Sequence, residues 1–170
     1  HPMKGVPELI QALIDIDDAR VGCWLVGGSQ HTLDIEQSLK TAATNSNSST
    51  SIEWLGFQSD PRPFYAAADW HIAPSKYEEP LGNVVQEAKS QGTPSMVTPM
   101  GGLPETLTEG ETGWILESTG AHAIEKGLRE LRGSNMQWNE QAILDEAAIT
   151  NDADTFRHGW VSVIQSILKP

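Results

Sequence analysis

Short apolar runs rich in Val, Ile and Trp alternate along the chain with stretches whose apolar residues recur at helical spacing. The runs at 21–26, 52–55, 70–73, 95–98 and 113–116 predict β-strands, and the stretches at 7–16, 33–44, 61–67, 83–91 and 103–108 predict helices. In the first helix Leu9, Ile10, Leu13, Ile14 and Ile16 share one period. Pro7-Glu8 suits its first turn, where proline loses no hydrogen bond and glutamate favours the positive end of the helix. Strands separated by helices indicate parallel pairing with crossovers on both faces, an α/β fold built on a doubly wound parallel sheet. In such sheets ligands bind beyond the carboxyl ends of the strands. Two stretches break the alternation. Residues 45–51 (NSNSSTS) read as a polar loop with no assignable chemistry, and from Ala121 onward the pattern is helical only, over 121–131, 137–148 and 152–168. Asp152 or Asp154 would cap the last helix, whose Phe156, Trp160, Val163, Ile164 and Ile167 share a face. That face either packs against the domain's own sheet or covers part of a second domain.

Charge and composition narrow the function classes. Across 170 residues, 11 basic side chains face 23 acidic ones, a formal charge of −12. Nucleic-acid binding through a basic face and docking on anionic lipid are both disfavoured. A phosphate-bearing ligand is not, because a helix N-terminus and one lysine suffice locally. The length fits one domain with its own core. Cys23 is the single cysteine, so no internal disulfide forms and a reducing, cytoplasmic setting is expected. No apolar stretch reaches membrane-spanning length, and His1-Pro2-Met3-Lys4 does not begin a signal peptide. The start at His1 raises the expectation of further residues upstream.

Each of the first four predicted strands ends in a loop of unusual composition: Gly27-Gly28-Ser29, Gly56-Phe57-Gln58-Ser59-Asp60, Pro74-Ser75 and Pro99-Met100-Gly101-Gly102. Singly, each is an ordinary turn; together they would line one rim. The most informative segment runs from Pro74 to Ala88. Pro80 and Gly82 delay the helix until about Asn83, so the free N–H groups of Gly82, Asn83 and Val84 would point into the rim, a donor cluster suited to a diphosphate. Glu87, one turn into the helix, could accept from two neighbouring ribose hydroxyls. Glu79, just before the helix, would lie on the side of a transferred sugar. The plain alternative is that glutamates near a helix start merely favour its dipole.

Spacing of seven residues between Glu79 and Glu87 resembles the E-x7-E element of retaining GT-B glycosyltransferases, group 1 (family 4). Further pieces follow in that family's order: Lys4-Gly5-Val6 before an apolar helix, Trp24-Leu25-Val26-Gly27-Gly28, Trp54-Leu55-Gly56-Phe57, Phe64-Tyr65-Ala66-Ala67-Ala68-Asp69, Gln91-Gly92-Thr93-Pro94, Gly101-Gly102-Leu103-Pro104-Glu105 and Thr112-Gly113-Trp114-Ile115-Leu116. The resemblance implies a Rossmann-like domain, the C-terminal donor-binding half of a GT-B fold, spanning 1–170 with a helical tail at 121–170. It implies that Glu79 acts at the donor sugar as nucleophile or charge stabiliser and that Lys4 neutralises the leaving group. The amides of Leu81, Gly82, Asn83 and Val84 would hold the diphosphate, Glu87 the ribose, and the loop at Phe57-Gln58 the base. The donor would be a UDP-, GDP- or ADP-sugar used as substrate, with no cofactor and no metal. Five scattered histidines, none with zinc-ligand spacing to Cys23, agree with that.

The departures carry expectations of their own. The family's first strand and the arginine at its end have no counterpart here, which would leave a gap between the strands at 21–26 and 70–73 and destabilise the domain unless another segment fills the slot. The family's N-terminal acceptor domain also has no counterpart, so the chain alone is expected to bind nucleotide weakly and not to transfer sugar. Ser95-Met96 replaces the usual β-branched pair, a packing difference. Three rival readings stand beside this one. A hydride-transfer enzyme would need G-x-G-x-x-G, which Gly27-Gly28-Ser29-Gln30-His31 lacks. A glycosidase could use Glu79 and Glu87 but gives the phosphate-ready helix start no purpose. A non-catalytic sugar-nucleotide-binding module would share every site residue.

Overall fold

The computed structural model describes residues 2–28, 33–133 and 138–167. Among the sequence expectations, Ser29, Gln30 and His31 after the first strand, Gln137 at the start of the second tail helix and Leu168 at the end of the third lie outside the described residues. Five strands, β1 (Gly22–Val26), β2 (Ser51–Gly56), β3 (His71–Ala73), β4 (Ser95–Val97) and β5 (Gly113–Ile115), alternate with α1 (Val6–Ile16), α2 (Leu33–Asn45), α3 (Arg62–Ala67) and α4 (Asn83–Lys89). The helix expected at 103–108 is a single 3-10 turn, Leu103–Thr106, because Leu107 returns to an extended backbone. The tail comprises α5 (Ala121–Gly133), α6 (Glu140–Thr150) and α7 (Ala153–Ile167).

Every strand pair is parallel, as crossover helices require. The strands form two hydrogen-bonded sets, β1-β2 and β3-β4-β5. Among the described residues no ladder joins the two sets. Each set is short, so side-chain packing holds the layers. All three residues of β4 are buried, the mark of a strand covered on both faces. Met96 turns to one face and packs with Leu9, Ile10, Leu13 and Ile124 of α1 and α5. Val97 turns to the other and packs with Ala73, Val85 and Leu103 beneath α4. Helices therefore flank the central sheet on both sides, and the fold is α/β.

A buried cation braces the second face. Lys89, at the end of α4, is fully enclosed, and its ammonium donates to the Thr106 carbonyl at 2.7 Å and to Glu146 Oε1 on α6 at 2.8 Å. An enclosed ammonium costs several kcal/mol in desolvation, and its partners offset that only while both remain in place. Lys89→Ala is expected to lower the unfolding free energy by about 2–3 kcal/mol, because it leaves a cavity and an unpaired carbonyl. Urea denaturation measures this. A loss below about 0.5 kcal/mol would mean that Lys89 contributes no more than an ordinary surface residue.

In the tail the structure removes one of the two readings of the last helix. Asp152 caps α7, accepting from the Thr155 N–H at 2.6 Å. The helix does not pack against the sheet: it touches α6, and all its residues are exposed, Phe156, Trp160 and Ile167 among them. Among the described residues no helix is long and apolar enough to cross a membrane.

Candidate functional site

Two segments 75 residues apart in sequence are held together at the carboxyl end of β3. Residues Pro2–Lys4 form a 3-10 turn, Gly5 reverses it in a left-handed conformation (φ 73°), and α1 begins at once. That reversal seats the Gly5 backbone against the Pro74 carbonyl at the end of β3. The Lys76 N–H then donates to the Met3 carbonyl at 2.8 Å, and the Lys76 ammonium pairs with Glu8 of α1 at 2.5 Å. Lys4 is thereby delivered beside Glu79.

Glu79 is 7% exposed and richly partnered. The Lys4 ammonium donates to Glu79 Oε1, and the Ser75 hydroxyl donates to the same oxygen at 2.9 Å. Lys4 also donates to the Tyr77 hydroxyl at 2.7 Å and lies 4.9 Å from the centre of that ring. Burial pushes the Glu79 pKa up, but hydrogen bonds from Lys4, Tyr77 and Ser75 outweigh it and hold the carboxyl below its ordinary value. Burial likewise pulls Lys4 down, and its bonds to Glu79 and Tyr77 outweigh that and hold it above its ordinary value. Both groups are therefore charged at neutral pH. The backbone is fixed as firmly: Gly102 N–H donates to the Glu79 carbonyl at 2.7 Å, and the Thr98 hydroxyl donates to the Ser75 carbonyl at 2.6 Å. The loop after β4 thus clamps the segment that leads into α4.

Beyond Glu79 the chain turns through Pro80 and Leu81 to Gly82, the N-cap of α4. Val85 N–H closes the first turn onto the Gly82 carbonyl at 2.9 Å. The N–H groups of Asn83 and Val84 precede that turn and have no helical carbonyl to reach. Leu81, Asn83 and Val84 are exposed, whereas Gly82 is buried under Leu103. Glu87 is exposed one turn along, and the Tyr65 hydroxyl of α3 donates to its Oε2 at 3.1 Å. Phe57 and Gln58 stand apart, at the carboxyl end of β2 in the other sheet. Phe57 is 82% exposed, and the Gln58 amide donates to the Leu55 carbonyl at 2.8 Å.

Lys4, Glu79 and the start of α4 are thus brought together, with Glu87 on the same helix and Phe57-Gln58 on a neighbouring rim. Sequence reasoning missed Ser75 and Tyr77 as partners of Glu79 and Tyr65 as the partner of Glu87. Ser75 and Tyr77 lie within four residues of Glu79, so proximity was an available signal. Tyr65 lies 22 residues from Glu87, and only the packing of α3 on α4 joins them.

A parallel α/β sheet with a charged cluster and a helix start beyond its carboxyl ends places the chain in the doubly wound class, in which ligands bind at that end of the sheet. More specifically, the family model of the group 1 glycosyl transferases matches residues 1–150, and the chain belongs to that family. The lipopolysaccharide core biosynthesis glycosyltransferase LpsE of Rhizobium meliloti (strain 1021) is 31% identical over 132 residues, covering 78% of this chain and 37% of that protein. Among solved structures, Anabaena Alr3699/HepE in complex with UDP and glucose matches with a TM-score of 0.83 at 23% identity, covering 98% of this chain and 46% of that one. The C-terminal domain of the group 1 family protein LpcC from Francisella tularensis matches with a TM-score of 0.74 at 22% identity, covering 89% of this chain and 80% of that domain. The chain spans roughly a third of the length of the curated relatives it matches.

Proposed function

We propose that this chain is the donor-binding half of a retaining glycosyltransferase that moves a sugar from a nucleoside diphosphate to an acceptor. The observation that carries the reading is the Lys4–Glu79 pair set directly before the start of α4. A departing diphosphate develops negative charge, and a fixed ammonium with oriented N–H donors stabilises it without reorganising. In this reading the amides of Leu81, Gly82, Asn83 and Val84 hold the diphosphate and Lys4 meets the leaving oxygen, so no metal ion is required. Glu79, held as a carboxylate, faces the positive charge that grows at the anomeric carbon. Glu87 binds the ribose, and the loop at Phe57-Gln58 supports the base. HepE, with its UDP and glucose, supports a nucleoside diphosphate as the class of donor. The acceptor side of the cleft belongs to an N-terminal domain of the same enzyme, so the 170-residue chain alone binds nucleotide weakly and transfers no sugar. Measurable transfer by the purified chain would overturn that division of labour.

Glu87 offers the most direct test of the nucleotide site. Two hydrogen bonds to a charged acceptor are each worth about 1.5–3 kcal/mol, and loss of both is partly relieved by water. Glu87→Ala is therefore expected to weaken UDP binding to the full-length protein by about 10- to 100-fold in calorimetric titration. An unchanged affinity would remove Glu87 from the site. A thermal-shift screen of UDP-, GDP- and ADP-sugars identifies the base.

A further inference from the structure

We propose that Tyr65 is a positioning residue for the nucleotide site, its hydroxyl fixing the Glu87 carboxylate in the orientation that accepts the ribose. The proposal rests on the reading of Glu87 as the ribose-binding carboxylate and adds a residue to it. Exposed glutamates sample many rotamers, and freezing one on binding costs affinity. Glu87 is exposed, yet it is not free: its Oε2 accepts from Tyr65 at 3.1 Å. One such bond uses one of about four acceptor positions on the carboxylate. A lone-pair position remains on Oε2 and two on Oε1, enough for two adjacent hydroxyls.

What makes Tyr65 a fixed point is its own support. Its backbone carbonyl accepts from the Thr93 hydroxyl at 2.6 Å, which ties α3 to the turn before β4. Its ring meets the His71 imidazole edge-to-face, with centroids 5.4 Å apart and planes at 79°. His71 sits on β3, and its Nδ1 lies 3.0 Å from the Ser95 hydroxyl on β4. Burial holds the His71 pKa down at about 4, so the ring is neutral at physiological pH and adds no charge beside Glu87. Burial, with the nearby Glu87 charge, pushes the Tyr65 phenol above its ordinary value, so it stays protonated and donates. A continuous set of contacts therefore runs from the central sheet, through His71 and Tyr65, to the exposed carboxylate. A tyrosine retained only for packing would need the ring and not the hydroxyl.

The test removes the hydroxyl and keeps the ring. In the full-length protein, UDP and 2′-deoxy-UDP are titrated by calorimetry against wild type, Tyr65→Phe, Glu87→Ala and the double variant. Wild type is expected to prefer UDP, because the deoxy form loses one hydroxyl partner of Glu87. Tyr65→Phe is expected to weaken UDP binding about five- to tenfold, to shrink the UDP to 2′-deoxy-UDP preference, and to change nothing further once Glu87 is alanine. A merely structural role would not alter that preference. If Glu87→Ala abolishes the preference while Tyr65→Phe leaves both affinity and preference intact, the positioning role is wrong and the ribose reading stands. If Glu87→Ala leaves the preference intact, the ribose reading itself fails, and the positioning role fails with it.

Discussion

Replacing Glu79 with glutamine in the full-length protein is expected to lower kcat by about 10²–10³-fold, the usual cost of removing one preorganised electrostatic group from a reacting centre. Glutamine has the same shape and can still accept from Ser75 and Lys4, so the geometry of the clamp persists and the lost quantity is charge. In the proposed reaction that charge matters as positive character grows at the anomeric carbon, and it would not matter for a nucleoside diphosphate lacking the sugar. UDP affinity is accordingly expected to hold or to rise, because a neutral amide no longer offsets the Lys4 charge that faces the diphosphate. Glu87→Ala acts in the opposite sense, weakening UDP while sparing turnover at saturation. Steady-state kinetics beside calorimetry separates the two, and an exchange of these effects between Glu79 and Glu87 would overturn the assignment. The pH profile adds a check. Glu79 titrates below the ordinary glutamate value because Lys4, Tyr77 and Ser75 stabilise its charged form. Because it titrates below the ordinary value, about 4.3, it stays ionised between pH 7 and 5, and no fall in kcat over that range is expected from this group.

The alternation of apolar runs with helical periods made the strand–helix order legible, because each element buries a face whose period survives in the sequence. The start of α4 was legible for a similar reason, since Pro80 and Gly82 restrict where a helix can begin. The contacts that turn these elements into a site were not. Lys4 and Glu79 meet because Gly5 packs on Pro74 and Lys76 bonds to Met3, long-range backbone contacts that leave no periodic trace. Lys89 shows a different limit. A lysine in a helix reads as solvent-facing, and only Glu146 and the Thr106 carbonyl, brought in by tertiary packing, let it be enclosed. The sequence left two partners open for the α7 face because an amphipathic face announces that it wants a partner without naming one, and the exposure of every α7 residue removes only the domain's own sheet.

Gly5→Ala is expected to cost about 2–5 kcal/mol of unfolding free energy and to separate Lys4 from Glu79. Two penalties combine at this position. A left-handed backbone at φ 73° costs an alanine about 1–2 kcal/mol. The added methyl would also fall within the Pro74 carbonyl, backbone against backbone, and such overpacking costs about 1–3 kcal/mol. The second penalty cannot relax cheaply. Pro74 is held at the end of β3 by its neighbours, with the Ser75 carbonyl bonded to Thr98 and the Lys76 N–H to Met3. Relief must come from moving the 3-10 turn, and Lys4 goes with it. Gly110 supplies the control: it too has a positive φ, 80°, yet a methyl there would meet nothing within 4 Å. Gly110→Ala should therefore show the backbone penalty alone, about 1–2 kcal/mol, with nucleotide binding unchanged. The difference between the two variants in urea denaturation isolates the Gly5–Pro74 contact, and the loss of UDP affinity in Gly5→Ala reports what that contact does for the site. Equal costs for the two glycines would show that the approach of α1 to β3 does not hold Lys4 in place.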